Sequence, residues 1–332
     1  MSELNRFQRT RLMPLFEALA LTVVDVGARG GADEDFIAAA WASRMIGFEP
    51  EPAEARRLQE RGDSRWREFR VLPLAIGKST GPAALHVPRA EEGASLLPHN
   101  PDMIELFGYE DLHRVQRVVP VSTITLDDAA ERFAFGSVDY LKLDIEGAEL
   151  DVLRACPHTL ESCVALKVEC SFLMQRQSQC LAWELMQFLS DHAFVLADII
   201  DIHRWRRRPV PADPYTTGYR MPYSRGVLSQ CDLIALRRFD GLDESRALRL
   251  VLVSTLLGFF DFAVAVLRKA PSLAETVQAR YGIDLESVLC VISKSVGRKT
   301  SWQRVRSTIR SLIPLVRSGL GVLPYRRDLL PY

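Results

Sequence analysis

The sequence predicts a doubly wound α/β fold with a mostly parallel sheet, followed by a helical C-terminal extension. Three observations carry that prediction. Apolar runs of strand length alternate with helix-patterned segments as far as about residue 240, which is the rhythm of βαβ units. The stretch Thr22-Val-Val-Asp-Val-Gly-Ala-Arg-Gly-Gly31 is an apolar strand that ends on Asp25 and breaks at once into a glycine-rich turn. A second apolar run, Met45-Ile-Gly-Phe48, closes on Glu49. A buried strand, a loop that lets a ligand reach the backbone and an acid on the next strand tip together describe a nucleoside-binding crevice.

The strand-length runs lie at 21–26, 44–48, 69–76, 138–144, 163–170, 194–200 and 228–236. Helical patterns fall near 33–42, 52–61, 125–133, 147–155 and 179–192. Right-handed crossovers would bring the ends of the first, second, fourth and fifth strands to one rim, where open α/β sheets bind ligands. The segment 78–122 breaks the rhythm with Gly81, Pro82, Pro88, Gly93, Pro98, Pro101 and Gly108. A long irregular insertion beside a binding rim reads as a lid or substrate loop. The domain expectation is therefore a catalytic unit over 1–240, with that insertion, and a helical extension over 241–332.

At 332 residues and 48% hydrophobic composition the chain can bury one or two cores. Its 42 basic and 42 acidic residues cancel, so no whole-protein field favours nucleic acid, and no nucleic-acid partner is expected. The six cysteines show no metal-type spacing and read as reduced core residues. With an N-terminus unlike a signal peptide, they predict a cytoplasmic protein.

The chemistry of the first loop depends on its spacing. A dinucleotide site wants Gly-x-Gly-x-x-Gly beneath a pyrophosphate, whereas Gly27-Ala-Arg-Gly-Gly31 follows an acid. Asp25 would repel a pyrophosphate and suit the cationic end of S-adenosylmethionine, with Glu49 accepting from the ribose hydroxyls. A plain strand-to-helix turn is the competing reading of the same glycines. A second constellation, Asp139-Tyr-Leu-Lys-Leu-Asp-Ile-Glu-Gly-Ala-Glu149, ends a strand on Asp144 and turns through Glu146 and Gly147. Two carboxylates at a strand end need a cation between them, and a sulfonium, an ammonium, a metal ion or Lys142 could each supply it. Glu149 suits the first turn of a helix.

These pieces carry a family resemblance. Asp25-Val-Gly-Ala28, Phe48-Glu-Pro50, Leu74-Ala-Ile-Gly77, Ile124-Thr-Leu-Asp127 and Leu141-Lys-Leu-Asp-Ile-Glu-Gly-Ala-Glu149, in that order, resemble the FkbM family of S-adenosylmethionine-dependent methyltransferases over roughly residues 20–237. The resemblance implies a seven-stranded Rossmann-like (class I) sheet whose last strand is antiparallel, and O-methylation of a hydroxyl on a sugar, glycolipid or polyketide. It implies that Asp25, Gly27 and Gly31 line the methionine end of the cofactor, Glu49 the ribose, and Ala75 with Ile76 the adenine edge, while Asp144 faces the reacting centre. Arg29 stands where many members have asparagine; it is expected either to clamp the cofactor carboxylate or to point to solvent. A subgroup with a C-terminal helical extension also has an arginine-rich stretch after the sixth strand, here His203-Arg-Trp-Arg-Arg-Arg208. Its association with surface-glycan genes suggests a carbohydrate or lipid-linked glycan acceptor.

Transfer to a sugar hydroxyl needs a base or a metal. The candidates are Asp144, Glu146, Glu169 and His99, with Mg²⁺ between Asp144 and Glu169 as the metal alternative; no zinc cluster is present in the sequence. Trp205 and Arg206 could stack on and grip a sugar or phosphate, and His99 could join them. Residues 250–267 are apolar enough to raise the question of a membrane span, but Ser254, Thr255, Gly258 and Asp261 favour a buried helix in a C-terminal bundle or a homodimer interface. The acid-free basic run from Lys294 to Arg327 fits a helix lying on anionic lipid, hence a peripheral membrane contact. The rival functions are a nicotinamide-dependent sugar-nucleotide dehydrogenase and a catalytically silent scaffold.

Overall fold

A computed structural model describes residues 5–207, 226–298 and 301. A short helix, α1 (Met13–Leu19), leads into β1 (Thr22–Val26), β2 (Arg44–Phe48), α2 (Pro52–Arg61) and β3 (Glu68–Leu72). The strands β4 (Ala75–Ile76) and β5 (Gly81–Pro88), helices α3 (Pro101–Phe107) and α4 (Glu110–His113), and β6 (Val115–Ile124) follow. The chain continues through α5 (Leu126–Arg132), β7 (Tyr140–Leu143), α6 (Glu149–Arg154), α7 (Pro157–Ser162), β8 (Ala165–Ser171), α8 (Ala182–Asp191), β9 (Phe194–Trp205) and β10 (Val227–Arg237). It closes with α9 (Glu244–Leu256), α10 (Phe260–Lys269), α11 (Pro271–Tyr281) and a helix over 285–298, α12.

The main sheet has seven strands in the order β3-β2-β1-β7-β8-β10-β9. β10 alone runs antiparallel to its neighbours, and β3, β2, β1, β7 and β8 pair in parallel. The order reverses beside β1, so the rim above β1, β2 and β7 is the switch point at which such sheets bind ligands. The seven-stranded sheet with an antiparallel last strand is thus present.

Its two faces are covered differently. One packs Val24, Ile46, Leu141, Leu166 and Leu233 against α5, α6, α7 and α8. The other, carrying Val23, Met45, Tyr140 and Ala165, is covered by α1, α9, α10, α11 and α12. Alternation along the strands turns this second face from apolar to charged on approaching the rim. Val23 gives way to Asp25, Tyr140 to Lys142, and Ala165 to Lys167 and Glu169, and Asp25, Lys142 and Lys167 stand in register on adjacent strands. α9 is pinned beneath by a buried ion pair in which Arg249 reaches both oxygens of Asp139 at 2.8 and 2.9 Å.

Several expectations change. The run 69–76 is two strands: it breaks at Pro73, and its second half joins a separate sheet ordered β4-β6-β5. The segment 78–122 is accordingly a built subdomain with its own small core around Leu85, Val87 and Val121, not an irregular loop. The region 33–42 is no α-helix; it forms two single 3-10 turns, Glu34–Phe36 and Ala40–Ala42. The carboxylates there turn inward, Asp33 and Asp35 to Lys167 at 2.8 and 3.5 Å and Asp35 also to the Tyr140 hydroxyl at 2.5 Å. The segment 250–267 is two helices broken at Gly258, and no helix among the described residues is long and apolar enough to cross a membrane. Cys156, Cys163, Cys170 and Cys231 are buried, Cys290 is exposed, and all six cysteines are unpaired.

Candidate functional site

A cleft of about 480 Å³ opens at the rim where β1, β2 and β7 end. Val26, Gly27, Arg29 and Gly30 form one wall, Phe48, Glu49, Pro50 and Glu54 another. Leu74, Ala75 and Ile76 form a third wall, and Lys142, Asp144 and Ile145 lie opposite. Glu91, Glu92, Ala94, Ser95 and Leu96 of the insertion close the remaining side. Its volume suits a nucleoside-sized ligand.

The glycine loop is shaped by a close approach. Gly27 has φ +89°, and a Cβ there would stand 1.9 Å from the Asp144 carbonyl oxygen. The β1 loop therefore lies directly on the β7 turn. The N–H groups of Gly27 and Ala28 both donate to the Phe48 carbonyl at 3.1 Å, which fixes the loop on β2. Glu49 is buried; its Oε1 accepts from the Glu51 N–H at 2.8 Å. Its other oxygen has no protein partner among the described residues, and burial raises its carboxyl pKa, opposed by the Glu51 N–H and Arg29. A buried acid with one unmet acceptor on a cleft wall is matched by a pair of ribose hydroxyls, so the residues present fit S-adenosylmethionine at this end.

The expected cofactor residues separate into two groups. Gly27, Arg29, Glu49, Ala75 and Ile76 line the cleft. Asp25 does not: it is 1% exposed, points to the sheet's covered face, accepts from the Asp33 N–H at 3.0 Å and pairs with Lys142 at 3.3 Å. Lys142 also pairs with Asp144 at 3.2 Å. Burial pulls the ammonium pKa down, but Asp25 and Asp144 outweigh it and raise the pKa above its ordinary value. Lys142 is thus the cation between Asp25 and Asp144, whereas Glu146 pairs with Arg176 instead. Gly31 also stands back from the cleft, where Gly30 takes its place. Arg29 neither waits for a carboxylate nor points freely to solvent. It pairs with Glu51 at 2.9 Å and with Glu91 of the insertion, and Arg117 completes the ring to the same two acids at 2.8 and 3.1 Å.

The turn Asp144–Gly147 begins on the cleft, which Asp144 and Ile145 line, and carries Glu146 beyond it. Glu146 has φ +60°, unusual for a residue with a side chain, and a fifth of its side chain is open. Burial raises its carboxyl pKa to about 7; Arg176 at 2.7 Å opposes that and Asp144 adds to it. Glu149 folds back to accept from the N–H groups of Ile145 and Gly147 at 3.0–3.1 Å, so it braces the turn. Glu169 lies near: burial and then the charges of Glu146, Asp144, Glu149 and Asp232 raise its pKa strongly, and it accepts a hydrogen bond from Gln230 Nε2 at 2.5 Å. The three expected catalytic acids thus lie close enough for their charges to act on one another. They do not form a metal site. No group of three or more His, Cys, Asp or Glu among the described residues is arranged to hold an ion, and Asp144 is instead taken up by Lys142. The Mg²⁺ expectation does not fit these residues.

Two expected substrate residues are corrected. His99 is buried, and its ring stands 5.5 Å from that of His113. Trp205 is also buried, against Phe107, Tyr109 and His113 at 4.9–5.5 Å. Neither offers an open face for a sugar, because the insertion folds its helices over both. Arg206 is half-buried beside Tyr109, whose hydroxyl lies 3.3 Å from its carbonyl oxygen. Arg208 and most of the basic run from Lys294 lie outside the described residues. Sequence reasoning missed Arg176, isolated in a loop, and Glu91 with Ser95, whose place on the cleft depends on how the insertion folds.

Comparison with known proteins adds to this geometry. The 2-O-methyltransferase NoeI of Sinorhizobium fredii (strain NBRC 101917 / NGR234) is 26% identical over 159 residues, covering 45% of this chain and 63% of that protein's length. The solved structure of PH1948 from Pyrococcus horikoshii, a candidate RNA methyltransferase by its own description, overlaps 68% of this chain and 82% of its own. At 9% identity and a TM-score of 0.29 that likeness is too slight to bear on fold or function. The methyltransferase FkbM domain matches residues 25–196, just over half of the chain, from the glycine loop through Asp144, Glu146 and Glu169 to β9. The chain belongs to the FkbM methyltransferase family.

Proposed function

We propose that this protein is an S-adenosylmethionine-dependent O-methyltransferase acting on a hydroxyl of a sugar, glycolipid or surface glycan. One observation carries the reading. One cleft carries both an unmet acceptor on Glu49 and the Asp144 carboxylate, with Glu146 two residues beyond and Gly27 packed against the Asp144 carbonyl. The relative named as a 2-O-methyltransferase supports a hydroxyl acceptor. The buried thiols suit a reducing, cytoplasmic compartment.

When bound, S-adenosylmethionine supplies an electrophilic methyl carbon and departs as a neutral thioether. The protein's part is alignment and proton removal. Glu49 holds the ribose end, and Ala75 with Ile76 the apolar base edge. Asp144, held by Lys142, accepts a hydrogen bond from the acceptor and orients its hydroxyl. Glu146 takes that hydroxyl's proton as the new oxygen–carbon bond forms. A carboxylate with a pKa near neutrality is suited to this task, since it is both ionised and basic at working pH. Burial and the charges of its neighbours disfavour ionisation of Glu169, and Gln230 already occupies one of its oxygens, which leaves Glu146 as the proton acceptor.

Calorimetry with S-adenosylmethionine and NAD tests the cofactor. The expected result is binding of the first alone, weakened at least about tenfold in Glu49→Gln, the scale of one lost charge-assisted hydrogen bond. Asp144→Asn should keep binding. Tight NAD binding without S-adenosylmethionine binding would overturn the reading. The acceptor is tested by comparing surface glycans of cells with and without the protein for one missing methyl ether.

A further inference from the structure

Arg176 has no part in the scheme above, yet it is the largest fully buried side chain among the described residues, 1% exposed. Its Nη2 donates to Glu146 Oε2 at 2.7 Å and to the Gly93 carbonyl at 3.0 Å. Those two acceptors belong to different parts of the protein. Glu146 sits in the turn after β7, whereas Gly93 lies in the insertion segment whose neighbours Glu92 and Ala94 wall the cofactor cleft.

The backbone around Arg176 repeats the connection. His99 and Arg176 form an isolated antiparallel bridge, Gln177 N–H donates to the Pro98 carbonyl at 2.8 Å, and Asn100 N–H donates to the Gln175 carbonyl at 2.9 Å. From the insertion side, Ser95 Oγ donates to the Glu146 carbonyl oxygen at 2.8 Å. Glu146 is thus held at its carboxylate by Arg176 and at its backbone by Ser95, with Gly93 fastened between them.

Packing alone does not account for this residue. Its Nε and Nη1 have no hydrogen-bond partner among the described residues, and burying unmet donors costs free energy that an apolar side chain of similar volume would not incur. We propose that Arg176 is a positioning residue that holds the Glu146 carboxylate in place and couples it to the insertion segment walling the cofactor cleft. Closure of the insertion and placement of the base are then one event, made through a single guanidinium. This rests on the reading of Glu146 as the proton acceptor.

Two ligand-free measurements on the full chain test it, using Arg176→Met, Arg176→Lys and Glu146→Gln. The first is the titration of Glu146 followed by carbon NMR in protein carrying labelled glutamate, with the signal assigned by its loss in Glu146→Gln. The second is amide hydrogen exchange over residues 89–100. In Arg176→Met the Glu146 midpoint should rise by about one pH unit or more, and exchange in the insertion should quicken by about tenfold. Arg176→Lys should retain most of the midpoint but not the exchange protection, because an ammonium keeps the charge and loses the planar fork. Glu146→Gln should quicken exchange from the other end of the contact. In Arg176→Met, faster exchange with an unmoved midpoint would reduce Arg176 to packing, a moved midpoint with unchanged exchange would remove the coupling, and either overturns the proposal. If Arg176→Met does not fold, exchange in the lysine and glutamine variants decides: quickened exchange over 89–100 is expected in both, and unchanged protection in either overturns the proposal. A wild-type chain that fails to bind S-adenosylmethionine would overturn the proposed function and leave these readouts untouched.

Discussion

Two residues at the rim show how narrow the tolerances are. Gly27 has neither the dihedral nor the space for a side chain. Gly27→Ala should therefore lower the thermal midpoint by several degrees, a cost of about 2 kcal/mol or more, and weaken S-adenosylmethionine binding measured by calorimetry. Lys142 is the second case. Lys142→Met would strand Asp25 as an unpaired buried acid, and chemical denaturation should show a loss on the order of 3–5 kcal/mol. Asp25→Asn in the same chain should recover part of it. Glu49, Asp144 and the glycine turn were legible in the sequence because a strand end followed by glycine and an acid has a local signature. The role of Asp25 was not. Which face it takes, and that Lys142 stands opposite it on β7, depend on a pairing between segments over a hundred residues apart.

At the scale of elements, the insertion is the part the sequence concealed. Pro82 and Pro88 read as loop punctuation, yet they lie in β5, and a further proline, Pro120, lies in β6. Pro120 is tolerated because β4 reaches only Thr123 and Ile124 on its side of β6. The strands of the main sheet were legible because their apolar runs are continuous, as burial on both faces requires. The helical reading of 33–42 failed because its acids find partners inside the sheet rather than in solvent. The ring of Arg29, Arg117, Glu51 and Glu91 latches this insertion to the glycine loop. Its members are part-exposed, so each contact is worth roughly 0.2–1 kcal/mol. The double variant Arg29→Ala with Arg117→Ala should barely shift the denaturation midpoint while speeding limited proteolysis within 78–122, more so at low salt, where the wild-type latch is strongest.

The whole molecule is held together from beneath. α9 to α12 share their core with the sheet and with α1, and Arg249 locks onto Asp139 under β7. A chain ending at residue 240 should expose that face and be recovered insoluble or without near-ultraviolet circular dichroism. The buried titrating groups also give stability a pH signature. Burial, then Arg176, lowers the pKa of His99 to about 3 and of His113 to about 4, from 6.5. Their contribution is complete above pH 6.5 and is lost as pH falls from there through those values. Burial raises Glu146 and Glu149 to about 7 from 4.5, so their contribution is complete below pH 4.5 and is lost as pH rises through 7. Denaturant unfolding across pH should therefore peak between these limits, and Glu149→Gln should flatten the decline from pH 5 to 8. The break at Pro73 reaches furthest. Because Ala75 and Ile76 belong to the sheet of the insertion and pair with Thr123 and Ile124, one wall of the cleft is built by the insertion rather than by the main sheet. An engineer exchanging this insertion between relatives has seams at Pro73 and Thr125, and must carry the strand pair across intact.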